Sequence, residues 1–231
     1  MRVDGYMGWY DPAITCRPYF FQTIHELLKI EETMDYHEPR YYASLHWSRL
    51  FEYPWSYNVL SPKKDDVILD LASGLGPLQF LLARNCKTVY NFDLDEKITP
   101  FIEVGKQKLG VDNVVLDIGD MRNGLPYEDG FFDKVACVSV LEHLDSPYER
   151  YVEEAIRVVK VGGIVCFTFD VFVDWGEKKD ISLTTTKSIC DMLGVQWVSP
   201  PPTVVVGEVI EGENRKLFTV VTINIQKRGE I

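Results

Sequence analysis

Two closely spaced glycines, Gly74 and Gly76, follow the apolar segment 67–71 and precede a helical pattern that starts near Pro77. A strand that runs through a glycine turn into a helix is a common binding place for nucleotide-like ligands, because glycine lets the backbone approach the ligand closely. The spacing alone does not identify a ligand, since dinucleotide-binding turns begin in the same way and many glycine turns bind nothing. The residues next to the turn must therefore indicate which ligand it binds.

Asp70 narrows the choice of ligand. It stands at the end of the apolar segment, so its carboxylate is expected to point into the crevice beside the turn. A carboxylate there repels a pyrophosphate and attracts the ammonium group of a methionine moiety. The third glycine of the dinucleotide fingerprint is also missing, because Pro77, Leu78 and Gln79 follow Gly76. Both observations favour S-adenosylmethionine (SAM) over a nicotinamide cofactor.

Two further acids could bind the nucleoside part of the same ligand. Asp93 follows the glycine turn at about the separation at which a carboxylate accepts hydrogen bonds from ribose hydroxyls. The alternative is a solvated helix cap, since Asp93 and Asp95 both precede a helical pattern, and we favour ribose for Asp93 and the cap for Asp95. Asp120 is predicted to accept from the adenine amine while the Met121 amide pairs with a ring nitrogen; the alternative is an acid in a turn.

These residues need a parallel sheet to bring them together. From residue 67 onward, short apolar runs alternate with amphipathic stretches, which is typical of βαβ units. The predicted strands are residues 67–71, 88–93, 113–117, 132–138 and 164–170, and the predicted helices are 77–85, 96–109 and 148–160. After a short helix at 185–193, the apolar runs 195–198, 204–206 and 217–226 have no helix between them. They predict an antiparallel hairpin that closes the sheet.

The first sixty residues have a different character. They hold 14 of the 29 aromatic residues, and helical spacing is found at 20–32 and at 41–50, the second helix ending near Tyr53-Pro54-Trp55. We interpret residues 1–231 as one domain, with an N-terminal helical cap or lid at 1–64 and a SAM-binding core at 65–231. The aromatic side chains of a lid can shape an apolar pocket, or they can simply pack helices on the sheet. The candidate pocket residues are Tyr41, His46, Arg49 and Trp55.

Composition excludes several classes of function. The formal net charge of −11 disfavours nucleic acid and anionic membranes as partners. Five widely spaced cysteines, mostly in apolar runs, indicate buried free thiols in a reducing compartment, and the absence of a CxxC pair argues against a metal site. The N-terminal residues do not resemble a signal peptide, and no apolar run is long enough to span a membrane. We expect a soluble, cytoplasmic protein.

The chain resembles the class I SAM-dependent methyltransferases, in particular the small-molecule group that includes the ubiquinone-biosynthesis methyltransferases. The matching segments, in order, are LDLASGLG at 69–76, NFD at 91–93, GDM at 119–121, FFDKVACVSVLEHL at 131–144 and EAIRVVKVGG at 154–163. The resemblance implies a Rossmann-like α/β fold with a seven-stranded, mostly parallel sheet, an antiparallel last strand and helices on both faces. It implies cofactor contacts at Asp70, Ala72, Ser73, Gly74, Gly76, Asp93, Leu94, Asp120, Met121, Cys137, Val138 and Ser139.

Methyl transfer from a sulfonium requires mainly that donor and acceptor are aligned in a dry pocket. A hydroxyl or ammonium acceptor must also lose a proton, and His143, after the fourth predicted strand, is the candidate base. Alternatively, Glu142 and His143 hold the loop together. Asp170 and Asp174, near the end of the fifth strand, are candidate substrate residues unless this segment is only a packed loop. Catechol-type relatives have acidic metal ligands near the tip of the fourth strand, where this chain has Val138 and Ser139, so the resemblance implies no metal. The segment Glu142-His143-Leu144-Asp145 leaves a metal site open as an alternative.

The sequence therefore predicts a SAM-dependent methyltransferase that acts on an oxygen, nitrogen or carbon atom of a small molecule. Two alternatives stay open. One is methylation of a peptide or protein, which would suit an open acidic groove. The other is a SAM-binding regulatory or scaffold protein that has lost its chemistry, because intact cofactor residues indicate binding and do not prove turnover.

Overall fold

The computed structural model describes residues 2–9, 17–34, 48–172, 183–196, 207–211 and 214–229. Seven strands form one continuous sheet in the order β1-β8-β6-β5-β2-β3-β4, and β7 pairs with β8 outside this path. The strands are β1 (Arg2–Trp9), β2 (Val67–Leu71), β3 (Thr88–Asp93), β4 (Val114–Ile118), β5 (Phe132–Val138), β6 (Val159–Phe172), β7 (Gly207–Glu211) and β8 (Asn214–Arg228).

Strands β2 to β6 are parallel to one another, and β8 runs antiparallel to β6. The predicted parallel core and the antiparallel closing strand are thereby confirmed. Strands β7 and β8 form a hairpin, but β7 covers Gly207–Glu211, after the predicted run 204–206, which lies outside the described residues. The carboxyl ends of the parallel strands therefore share one edge of the sheet, where ligands bind in open α/β folds.

Strand β1 is the feature that sequence patterning did not predict. It pairs antiparallel with β8 along its whole length, from Arg2 opposite Arg228 to Trp9 opposite Val221. A side chain could not be added at Gly5, because its Cβ would lie 2.4 Å from the Asn224 carbonyl oxygen. Part of the N-terminal segment is therefore a strand of the sheet, where the sequence predicted only helices. The role of the remaining segment as a lid stays a prediction.

Helices cover both faces of the sheet, as predicted. They are α1 (Pro18–Met34), α2 (Arg49–Leu60), α3 (Leu78–Ala83), α4 (Thr99–Leu109), α5 (Glu149–Val158) and α6 (Leu183–Leu193). One apolar cluster joins the sheet to α5 and α6, with Ile156 and Ile189 in its interior. A second cluster joins the other face to α1 through α4, with Phe20, Phe51 and Phe80 in its interior.

Helix α2 corrects the prediction that a helix ends near Tyr53-Pro54-Trp55. The helix continues to Leu60, with Pro54 inside it. A proline inside a helix removes one backbone hydrogen bond. Tyr53, Pro54 and Trp55 are all buried, and α2 packs against α1, β5 and β6, so tertiary packing outweighs the local penalty. The predicted helix at 41–50 lies mostly outside the described residues.

Two expectations from composition have a structural counterpart. Cys86, Cys137, Cys166 and Cys190 are buried free thiols, as predicted, and Cys16 lies outside the described residues. In the part of the chain that the structure describes, no helix combines the length and the apolar character needed to cross a membrane.

Candidate functional site

The glycine turn after β2 adopts the backbone conformation that a binding loop requires. Ala72 has φ of +50° and Gly74 has φ of +52°, both in the left-handed region. The Ala72 N–H donates to the Phe92 carbonyl at 2.8 Å, which fixes the turn to β3. A Cβ at Gly74 would meet no atom within 4 Å, so the turn leaves open space beside Gly74. A left-handed alanine is a costly conformation and is found mainly at functional sites.

Asp93 connects the end of β3 to the glycine turn. Its Oδ2 accepts from the Gly74 N–H at 3.0 Å, and its Oδ1 accepts from the Asp95 N–H at 2.9 Å. The residue is only 8% exposed. A carboxylate has about four acceptor positions, so two amide donors leave capacity for ligand hydroxyls. Asp95 caps the following 3₁₀ turn by accepting from the Lys97 N–H, as the sequence predicted.

Three supporting residues were missed by sequence reasoning. The Gln79 side chain donates to the Gly76 carbonyl at 2.7 Å, and buried Asn91 donates to Gln79. Tyr53 of α2 lies directly over Gly76, where an added Cβ would be 2.3 Å from the tyrosine hydroxyl. Gly76 is thus required by packing against Tyr53. The Gln79 contact reaches back only three residues, whereas the contacts of Asn91 and Tyr53 join separate elements and have no local sequence signal.

A cleft of about 340 Å³ opens beside the turn. Its walls come from the carboxyl ends of β2, β3, β4 and β5, and the lining residues are Ala72, Phe92, Asp93, Leu94, Gly119, Asp120, Met121, Arg122, Ser139, Val140, His143 and Leu144. Seven residues proposed from the sequence, Ala72, Asp93, Leu94, Asp120, Met121, Ser139 and His143, therefore line one cleft.

Asp120 already has a strong partner at the outer end of the cleft. Arg122 Nε lies 2.9 Å from both carboxylate oxygens, and the Arg122 N–H also donates to Asp120. These hydrogen bonds from Arg122 lower the pKa of Asp120. An adenine amine would have to share this carboxylate with the guanidinium, and the role proposed for Asp120 stays a prediction.

Asp70, Cys137 and Val138 lie deeper, behind the lining of the cleft. Asp70 is 3% exposed, and burial together with the charge of Asp93 raises its pKa to about 8. Cys137 and Val138 are buried at the end of β5. The Ser73 hydroxyl is buried without a hydrogen-bond partner.

Next to the cleft, a group of polar side chains is enclosed between α2, β5 and β6. We call Arg49, Glu52, Ser139, Glu142, Thr168 and Asp170 the buried polar cluster. At its centre, the Glu52 residue has no exposed surface. Its Oε1 accepts from the Ser139 and Thr168 hydroxyls, each at 2.6 Å, and its Oε2 accepts from Arg49. Ser139 has φ of +50° and also lines the cleft, so the cluster and the cleft share a wall.

The outer acids of the cluster, Glu142 and Asp170, do not have hydrogen-bond donors for all of their carboxylate oxygens. Glu142 Oε1 accepts a 3.3 Å hydrogen bond from the Asp170 N–H, but Glu142 Oε2 and Asp170 Oδ1 are shielded from solvent and have no hydrogen-bond partner. Burial and the charges of Asp170 and Glu52 raise the pKa of Glu142 to about 8. Burial and Glu52 raise the pKa of Asp170 to about 7.

His143 stands where the cleft meets the cluster. It ends the 3₁₀ turn Leu141–His143, and its ring lines the cleft. Partial burial and the charge of Arg49 lower the pKa of His143, which favours the neutral imidazole. Glu142, its neighbour, makes the loop contact with Asp170 that the structural alternative expected.

The remaining candidates separate into three groups. Arg49 and Asp170 belong to the buried polar cluster. Trp55 lies in the apolar core with Phe20 and Leu27, away from the cleft lining. Tyr41, His46 and Asp174 lie outside the described residues. Across the described ranges, no group of three histidine, cysteine or acidic residues is arranged to hold a metal ion.

Comparison with known proteins finds similarity in the middle of the chain, which includes the strands that line the cleft. A family model described as a methyltransferase domain matches residues 69–167. Protein-L-isoaspartate O-methyltransferase 1 from Nitrosospira multiformis is 33% identical over 101 residues, or 44% of this chain and 42% of that protein. A demethylmenaquinone methyltransferase from Clavibacter sepedonicus is 31% identical over 109 residues, or 46% of this chain and 43% of that protein. The chain thus spans less than half the length of these curated relatives.

One solved structure shares the fold over nearly the whole chain. It is geranyl diphosphate C-methyltransferase from Streptomyces coelicolor A3(2), in complex with Mg²⁺, geranyl diphosphate and S-adenosyl-L-homocysteine (SAH). The TM-score is 0.62 at 14% identity, and the match covers 92% of this chain and 99% of that one. The sheet order, the glycine turn and the family match agree: residues 69–167 match a methyltransferase domain, and the sheet that holds them is similar to that of class I SAM-dependent methyltransferases.

Proposed function

We propose that this protein transfers a methyl group from SAM to a small molecule held at the carboxyl ends of β5 and β6. The observation that carries the proposal is the wall that the cleft and the buried polar cluster share at Ser139, with His143 in the same cleft lining. A methyltransferase needs two adjoining positions, one for the donor and one for the acceptor. Here the ligand-sized cleft adjoins a second, chemically different region.

The residues around the cleft fit the cofactor. Asp93 has acceptor capacity for ribose hydroxyls, and buried Asp70 offers a counter-charge to an ammonium group. Leu94, Met121 and Leu144 supply apolar walls for a purine ring. When bound, SAM supplies an electrophilic methyl group on a sulfonium.

His143 is the proposed proton acceptor. Its lowered pKa keeps the imidazole neutral at neutral pH, which is the form that can take a proton from a hydroxyl or an ammonium. The residue lines the cleft on the side of the buried polar cluster, where the acceptor is proposed to bind. The surrounding chain has to orient the acceptor and exclude water.

The charge of the cluster favours a small molecule over the acceptor named in one relative. Isoaspartate carries a carboxylate, and the raised pKa values of Glu142 and Asp170 indicate that this position already disfavours negative charge, so a further carboxylate there is unfavourable. This argues against a protein-isoaspartate acceptor, although that relative is 33% identical to this chain over 101 residues.

The first test is calorimetric titration with SAM, SAH and NADH. We expect saturable binding of SAM and SAH and none of NADH. Asp93→Ala should weaken SAH binding about tenfold or more, because ribose hydroxyls lose a charged acceptor. Asp112→Ala is the matched control, since Asp112 is an exposed acid that precedes β4 at the opposite end of the sheet. If wild-type protein does not bind SAM or SAH, the proposal fails.

A further inference from the structure

Glu52 and the outer acids of the buried polar cluster differ in their hydrogen-bond and ion-pair partners. Glu52 is fully hydrogen-bonded by Arg49, Ser139 and Thr168. Within the described part of the chain, neither Glu142 nor Asp170 forms a salt bridge. Each also has one buried oxygen without a donor. The Arg49 guanidinium is paired with Glu52 and acts on Glu142 and Asp170 only through its charge. Among the described residues, neither of these two acids therefore has a cation in direct contact.

A buried carboxylate oxygen with no donor is costly, and proteins keep such groups mainly where a ligand completes them. The position supports a ligand rather than a packing defect. Glu142 adjoins His143 in one short turn, and Asp170 follows Thr168 on β6. Both acids therefore lie beside the wall of the cofactor cleft at Ser139, on the side where the acceptor is proposed to bind.

The missing partners are hydrogen-bond donors with positive charge. An anionic acceptor would be repelled by the two acids, and an apolar acceptor would leave both oxygens unsatisfied. A protonated amine has up to three N–H donors and a charge that opposes theirs.

We infer that Glu142 and Asp170 form a binding subsite for the ammonium group of an amine substrate. The inference rests on the proposed function and narrows it from any small molecule to an amine. An ammonium nitrogen must lose one proton before it can accept a methyl group. His143, the proposed proton acceptor, follows Glu142 in the same short turn and lines the cleft, so it is placed to receive that proton.

The test compares probes that share a shape and differ in charge. Protein saturated with SAH is mixed with benzyl, 2-phenylethyl and hexyl amines and with the matching alcohols and carboxylates, and the shift in melting temperature is recorded. SAH binding is measured first by calorimetry, so that failure of the proposed function is seen separately. We expect at least one amine to stabilise the protein more than its alcohol and its carboxylate do.

The matched variants are Glu142→Gln and Asp170→Asn, which remove charge and keep shape. Each should weaken binding of the preferred amine about tenfold or more while SAH affinity stays unchanged. Glu103→Gln, an equal change on the exposed surface of α4, should leave amine binding unaltered. Because the surroundings of both acids already disfavour negative charge, neither amide variant should melt below the wild type in the absence of probe. Either variant alone can therefore test the inference.

Two results would overturn the inference while SAH still binds. One is a wild-type protein that does not prefer any amine over its alcohol and carboxylate. The other is a preference for amines that persists in both amide variants.

Discussion

The cleft and the buried polar cluster lie side by side at one edge of the sheet, but their acids are held differently. In the cleft, Asp93 and Asp120 accept hydrogen bonds from backbone amides or from an arginine. In the cluster, Glu142 and Asp170 each have a buried oxygen without a partner. The two acids that line the cleft are thus held by hydrogen bonds before a ligand binds, whereas Glu142 and Asp170 lack donors that a ligand can bring. A preorganised site suits a cofactor that is the same in every reaction, and an incomplete site suits a substrate that has to be selected by the groups it supplies.

The two regions are joined by Glu52, and its removal should have the largest effect. Glu52→Ala takes away the acceptor of two buried hydroxyls and the partner of Arg49. Breaking a buried ion pair from one side costs about 3–5 kcal/mol. We expect a loss of that size in the free energy of unfolding, measured with urea. Asp112→Ala, an exposed acid before β4, serves as control. A loss no larger than that of the control would mean that the hydrogen bonds and the ion pair of Glu52 do not stabilise the fold.

A smaller effect is expected at the glycine turn, where the cleft touches α2. An added methyl group at Gly76 would lie 2.3 Å from the Tyr53 hydroxyl. Gly76→Ala should therefore cost about 1–3 kcal/mol through overpacking. Tyr53→Phe removes the clashing oxygen, and the double variant should recover part of the loss in a thermal unfolding cycle. If the two changes are additive, Tyr53 does not restrict this position.

The smallest expected effect is a release of protons on SAH binding, which distinguishes Asp70 at the cleft from the acids of the buried polar cluster. Asp70 has a folded pKa of about 8 against an ordinary value of 3.8, so the folded protein holds a proton that the unfolded chain has lost between about pH 4 and pH 8. Through this group, the stability of the cofactor-free protein falls as pH rises across that window. A bound ammonium lowers the pKa of Asp70, so binding of SAH at pH 7 should release up to about one proton.

Calorimetry in phosphate and in Tris measures this release, because the apparent enthalpy then depends on the buffer. Asp70→Asn should remove the dependence, whereas Glu142→Gln should preserve it, since Glu142 faces the proposed acceptor. Equal enthalpies in both buffers for the wild type would contradict a contact between Asp70 and the cofactor ammonium.

The sequence predicted the cleft better than the cluster, for a physical reason. Asp93, Asp120 and the glycines belong to strand–turn–helix units whose local patterns are recognisable. Glu52 instead binds Ser139 and Thr168, which are 87 and 116 residues away. A glutamate in an aromatic-rich helix carries no local sign that it is buried. Arg49 and Asp170 were proposed as substrate residues from sequence, and the structure brings both into the cluster with Glu52.

The same reasoning explains the error at the N-terminal end. Strand β1 includes Asp4, Gly5 and Gly8, which have low strand propensity. It exists because β8 offers a free edge, and that edge is far away in sequence. Helix α2 crosses Pro54 for an equivalent reason, since burial on the sheet compensates a local penalty.

The pairing of β1 with β8 also fixes the order in which the sheet can be completed. Strand β8 lies between β6 and β1, so an inner strand of the sheet is the last described one to leave the ribosome. Until then β1, which precedes every other described strand, has no partner in the sheet, and β6 has an open edge. Such distant pairings delay folding, because the loop must close before any contact repays its entropy. The chain must therefore be synthesised almost to Arg228 before the edge next to the proposed acceptor site is sealed.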